Sequence, residues 1–192
     1  MENVSVRVNW LLAFPLVEKK VVEAAIGVSF FLIATSLGAH IRIPLPFTPV
    51  PITAQTFFVL LGAVVLGSRL GGLTQLLYLV TGAVGLSVFA GGASGFAHLF
   101  GPTGGYLVSY MLVSFLMGWV ITNGATALRM AIAVFGGSLF ILLFGSIWLG
   151  IVLQVDLSTA FLLGFLPFLP GDLIKSLLVL LAYSGYRRWH RA

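Results

Sequence analysis

Long apolar runs recur along this chain, bounded by Gly, Pro or charge, near residues 20–39, 53–67, 71–85, 104–123, 130–153 and 170–186, the second and third of them short. Crossing about 30 Å of hydrocarbon takes about 20 residues of helix, so the 192 residues hold about six such spans with short connections and no second domain. Only 8% of the residues are charged and 59% are hydrophobic, against about 25% charged in a soluble domain. The expected fold is all-α: a polytopic integral membrane bundle of six transmembrane helices in one membrane domain, residues 1–192. Residues 1–19 read as an interfacial amino-terminal segment, because the run at 10–17 is broken by Pro15 and followed by Glu18-Lys19-Lys20 in place of a cleavage site.

The cations set the orientation. Arg7, Lys19, Lys20, Arg69, Arg129, Arg187, Arg188 and Arg191 all fall on one side of these spans, whereas Arg42 stands alone on the other. Positive charge stays cytoplasmic, so both termini are expected inside a plasma membrane crossed an even number of times. The apolar stretch 157–168 then reads as a short helix on the outer surface, since a seventh crossing would separate the two basic tails. The net charge of +5 serves topology and forms no stripe for nucleic acid. The inner connections are brief, while the outer ones near 40–52, 86–103 and 154–169 are longer and rich in Pro, Gly and Phe. Binding residues concentrate on loops held by a rigid scaffold, so the site is expected to face outside.

Three segments carry candidate chemistry. In PGDLIK (170–175), Pro170 and Gly171 mark a helix start, Asp172 falls in its first turn and Lys175 follows three positions later on the same face. A charge at mid-bilayer costs roughly 2.5–3.5 kcal/mol, less near the interface, so the pair needs a reason. That reason is either mutual neutralisation or a ligand with an anionic group for Lys175 and donors for Asp172. The first outer loop places four prolines between 43 and 51, a stiff strap that either caps a pocket or merely connects, with Thr53 starting the next helix and Gln55 the side chain most able to point into the bundle. The middle region supplies Tyr78, Phe89 and Tyr106 as flat walls, with Gly91 and Gly92 among glycines that permit close backbone approach.

The order IPLP (43–46), PVPIT-x-Q (49–55), GL-x-VFAGG (85–92), GPTGGY (101–106) and PGDLIK (170–175) resembles the BioY family, the biotin-binding S components of energy-coupling-factor (ECF) transporters. The likeness spans roughly 34–183. It implies capture of biotin outside and docking on an ECF transmembrane coupling protein that is bound to two ATPase subunits. It also implies that Asp172 and Lys175 contact biotin, the ammonium meeting its carboxylate and the aspartate its ureido N–H groups. Ser87 stands where relatives usually carry Pro, and Ala93 where some carry a basic residue, which leaves Lys175 as the leading cation and Arg42 second. S components also use small residues of the first helix against the coupling protein, and Ala25 with Ser29, or Ala34 with Gly38, offer that spacing here; ordinary internal packing explains it equally.

Other classes fit less well. A secondary transporter for another small carboxylate or vitamin would be expected to place ionisable groups near the midplane. An intramembrane serine protease is suggested only by Gly92-Ala93-Ser94-Gly95, and none of His40, His98 and His190 sits mid-span on a later helix to serve it. No nucleotide-binding motif or metal-ligand cluster stands out, so no resident cofactor is expected, ATP would act only through partner subunits, and self-association stays open.

Overall fold

The computed structural model describes residues 5–121 and 126–189, and these residues fold into six α-helices with one two-residue β-ribbon. The first residues of the amino-terminal segment, the end of the fourth expected span at 122–123, and the tail from 190, including His190 and Arg191, lie outside the described residues. Helix α1 (Ser5–His40) runs unbroken through the segment read as a separate interfacial piece. Thr35 and Ser36 return their hydroxyls to the carbonyls of Phe31 and Leu32, at 2.7 and 2.8 Å, so neither leaves a polar group facing lipid.

After α1 the strands β1 (Arg42–Ile43) and β2 (Ile52–Thr53) pair antiparallel, Arg42 opposite Thr53 and Ile43 opposite Ile52. The proline strap closes this ribbon because residues without an N–H cannot extend a helical ladder. Thr53 therefore lies in the ribbon and does not start a helix; α2 (Gln55–Ala83) begins two residues later.

Helix α2 is a hairpin. Gly67, at φ 76° and ψ −174°, leaves helical geometry, and the chain folds back so that a Cβ on Gly71 would touch the Cα of Ala63. A straight helix would hold Gln55 and Tyr78 about 35 Å apart, yet their side chains hydrogen-bond at 2.5 Å. The two arms, 55–66 and 68–83, correspond to the runs read at 53–67 and 71–85. Glycine is required at 67 because that φ belongs to the left-handed side of the map.

The connection 84–103 contains two short 3₁₀ turns, Ala90–Gly92 and Phe96–Phe100. Helices α3 (Gly104–Ile121) and α4 (Ala127–Leu153) follow, with Thr126 capping α4 by accepting from the Arg129 N–H at 3.3 Å. Helix α5 (Leu157–Gly164), capped by Asp156, packs on α4 and meets α6 (Leu169–Trp189) at 53°. Among the described residues four helices are long and apolar enough to cross a membrane, and five if α5 and α6 form one bent span. The surface is inverted relative to a soluble protein: Ile26, Phe30, Ile33, Leu37, Trp119 and Ile151 are exposed, while Gln75, Ser109, Ser114 and Ser146 are buried. The chain is a multi-pass membrane protein.

The two small-residue pairs on α1 point in opposite directions. Nine positions separate Ala25 from Ala34, which is two and a half helical turns. Ala34 and Gly38 are buried against α2, where a Cβ on Gly38 would meet Phe58 and the Ala54–Gln55 backbone. They are internal packing residues and are not available to a partner, which corrects one of the two expectations. Ala25 and Ser29 are exposed.

Candidate functional site

The ribbon and strap, the 84–103 connection and the α5–α6 corner gather at one end of the bundle, and the Gly67 turn lies at the other, against Phe115 and Gly118 of α3. Beneath the gathered connections is a narrow cavity of about 40 Å³. All three connections contribute to its wall: Pro51 and Thr53 from the first, Ala90 and His98 from the second, Phe168 from the third.

The charged floor comes from α6. Because Asp172 lies in the first turn, its carboxylate profits from unpaired N–H groups at the helix start. Lys175 donates to Asp172 Oδ1 at 2.6 Å and to Thr56 Oγ1 at 2.9 Å, and the Thr56 hydroxyl lies 3.2 Å from the same carboxylate oxygen. The aspartate side chain is 4% exposed and the lysine 16%. Asp172 Oδ2 is buried with no partner among the described residues, and a buried carboxylate oxygen left unbonded costs on the order of 1–3 kcal/mol.

Of the sequence-predicted residues, Asp172, Lys175, Gln55 and Tyr106 line the cavity. Gln55 is held by donating to the Tyr78 hydroxyl at 2.5 Å and accepting from Thr53 at 3.1 Å. Tyr106 donates to the Gly164 carbonyl at 2.6 Å, which ties α3 to the α5–α6 corner, and its ring fills the notch over Gly145. Tyr78 and Phe89 do not reach the cavity; both are fully buried behind its wall. Tyr78 donates its hydroxyl hydrogen bond to the Val88 carbonyl at 3.0 Å, so it positions Gln55 and the 84–103 connection together. Phe89 packs edge-on to Tyr78 and into the space over Gly82. Gly91 and Gly92 also lie off the cavity, and Gly91, at φ 78°, leaves room for the Arg42 guanidinium. Arg42 thus clasps the ribbon to the 84–103 connection from outside.

Thr56 and Tyr110 line the cavity without having been singled out. Tyr110 follows Tyr106 by one turn, a spacing that places both on one face. Thr56 carries no such signal. His98, on the cavity wall, stacks on Phe89 at 5.3 Å and pairs through Nε2 with Thr103 at 3.1 Å.

Burial lowers the His98 imidazole below its ordinary range, so the folded connection binds fewer protons there than the unfolded one. The stabilisation is complete above about pH 6.5 and is lost as pH falls below it. Amides of residues 93–100 are therefore expected to exchange hydrogen faster at pH 5.5 than at 7.5, after correction for intrinsic rates. The His98→Gln variant should show no such difference, and an unchanged parent profile would contradict the assignment.

The chain matches the sequence profile of the BioY family over residues 10–192. It is 41% identical over 149 residues to a probable biotin transporter BioY of Pyrococcus horikoshii, covering 78% of this chain and 86% of that one. To a biotin transporter BioY of Rhizobium etli it is 35% identical over 161 residues, covering 79% and 86%. Among solved structures, the S component for biotin from an ECF-type ABC transporter superposes with a TM-score of 0.82 at 28% identity, covering 88% of this chain and 93% of that one.

Proposed function

The chain belongs to the BioY family, and from that premise we propose that it is the substrate-binding S component of a biotin uptake transporter, holding biotin in the cavity over Asp172 and Lys175. It is a transporter component and not an enzyme. The observation that carries the reading is the buried, half-engaged carboxylate: Asp172 has one oxygen bonded to Lys175 and Thr56 and one oxygen free. A ureido N–H supplies the missing donor. Among the described residues Lys175 is the one Lys or Arg on the cavity wall and so the counter-ion for the ligand's acid, and Tyr106, Tyr110 and Phe168 offer apolar surface to the bicycle and tail.

The orientation follows from charge. With Arg69 at the α2 turn and Arg129 at the start of α4, the cavity end faces outside and both termini face the cytoplasm. In this reading both arms of α2 cross, α5 and α6 complete one span, and the chain traverses the plasma membrane six times. The arms, about 18 and 24 Å long, are shorter than the hydrocarbon core, which α1 and α3 shield on either side. An ECF transmembrane coupling protein with two ATPase subunits would drive release inward, with no resident cofactor in this chain. The exposed Ala25 and Ser29 are the small residues left for that contact.

Titration calorimetry of the detergent-purified protein with biotin tests the reading. One biotin per chain should bind. No heat with biotin, alongside binding of another small carboxylate, would replace it with the secondary-carrier alternative.

A further inference from the structure

A second concavity lies far from the biotin cavity, on the lipid-facing side between the second arm of α2 and α3. It is a groove of about 500 Å³ whose floor is opened by Gly72, whose walls are Leu76, Met111, Phe115 and Phe140, and whose mouth carries Arg69. Apart from that arginine the lining is apolar. Arg69 follows the Gly67 turn, so it stands at the end of the bundle opposite the cavity, at the level where hydrocarbon gives way to headgroups. Its side chain is exposed, and the sole ion pair among the described residues is Lys175–Asp172, so no carboxylate there neutralises it.

We propose that this groove binds one anionic phospholipid, an acyl chain lying along Leu76 and Phe115 and the phosphate meeting the Arg69 guanidinium. Charge complementarity selects this occupant. A neutral helix from a second copy would fill the apolar channel but leave the guanidinium unanswered, whereas a phosphate accepts two parallel N–H bonds from its planar fork. The cytoplasmic leaflet is rich in anionic headgroups, and a single Arg at that surface favours them by about fivefold. Because two arms of one hairpin and α3 meet beside it, lipid in the groove would brace the Gly67 turn.

Native mass spectrometry of the full-length protein, released from zwitterionic detergent with equimolar phosphatidylglycerol and phosphatidylcholine, reads the preference. The parent is expected to retain phosphatidylglycerol about fivefold over phosphatidylcholine. Arg69→Gln should bind both equally, and Leu76→Trp, a half-exposed position that tolerates bulk, should lose both. Each variant should still bind biotin, which reports intact folding and separates this outcome from any failure at the cavity. Equal retention of the two lipids by the parent, a preference that survives Arg69→Gln, or a dimer peak abolished by Leu76→Trp would each overturn the proposal.

Discussion

Replacing Lys175 by alanine is expected to weaken biotin binding by about 30-fold to several thousand-fold, the 2–5 kcal/mol incurred when one partner of a buried, hydrogen-bonded charge pair is truncated. The ammonium engages Asp172 at 2.6 Å and Thr56 at 2.9 Å, so its removal leaves a carboxylate 4% exposed with only a hydroxyl at 3.2 Å for company. In the proposed site two losses would coincide: the counter-ion for the ligand's acid, and the fixed orientation of the carboxylate proposed to meet its ureido group. Arginine should not rescue the position, because a planar fork cannot reproduce a point charge held between two oxygens. Biotin methyl ester separates the two losses. Against the parent the ester should bind at least about tenfold more weakly than the acid, and against Lys175→Ala the acid and ester should bind alike, a coupling that a generally unfolded site would not produce. Calorimetry in which the alanine variant stays within threefold of the parent would remove Lys175 from the site.

How much of this was readable beforehand depended on whether geometry or only chemistry was at stake. Asp172 and Lys175 were legible because a charge within an apolar run demands a partner, and a spacing of three on a helix supplies one. The α2 hairpin was legible because glycines bound two short runs, and one of them, Gly67, adopts a conformation that other residues resist. Which wall a side chain serves was not legible. Tyr78 and Tyr106 are equally polar-tipped aromatics within apolar helices, yet one stands behind Gln55 and the other lines the cavity. Thr56 resembles Thr74 in composition and burial, but Thr74 returns its hydroxyl to the Leu70 carbonyl and Thr56 turns to α6. On α1, spacing alone offered two small-residue faces, and only the packing of α2 decides that Gly38 is spent internally and Ala25 is left free.

The packing that builds the hairpin leads to a second large effect, in stability. Gly118 of α3 lies flat against the Gly67–Ser68 backbone, and a Cβ added there would run into main-chain atoms of both residues. A side-chain clash is relieved by a rotamer change, but backbone must move as a whole. This backbone is held on one side by the reversal at Gly67 and on the other by the Ser68 hydroxyl, which donates to the Phe115 carbonyl at 2.8 Å. The Gly118→Ala variant is therefore expected to lose about 1–3 kcal/mol or more through overpacking, against the roughly 1 kcal/mol that alanine would otherwise gain in a helix interior. Gly136 on α4 is the matched control: it is exposed, with nothing within 4 Å of an added Cβ, so Gly136→Ala should be neutral or stabilising. Where unfolding in micelles is irreversible the midpoint depends on scan rate, so the comparison belongs at one scan rate in one detergent. At about 2–4 °C per kcal/mol, Gly118→Ala should unfold several degrees below the parent and Gly136→Ala at or above it. Equal midpoints for the two variants would mean that α3 does not press on the α2 turn, and the hairpin geometry that aligns Gln55 with Tyr78 would need another support.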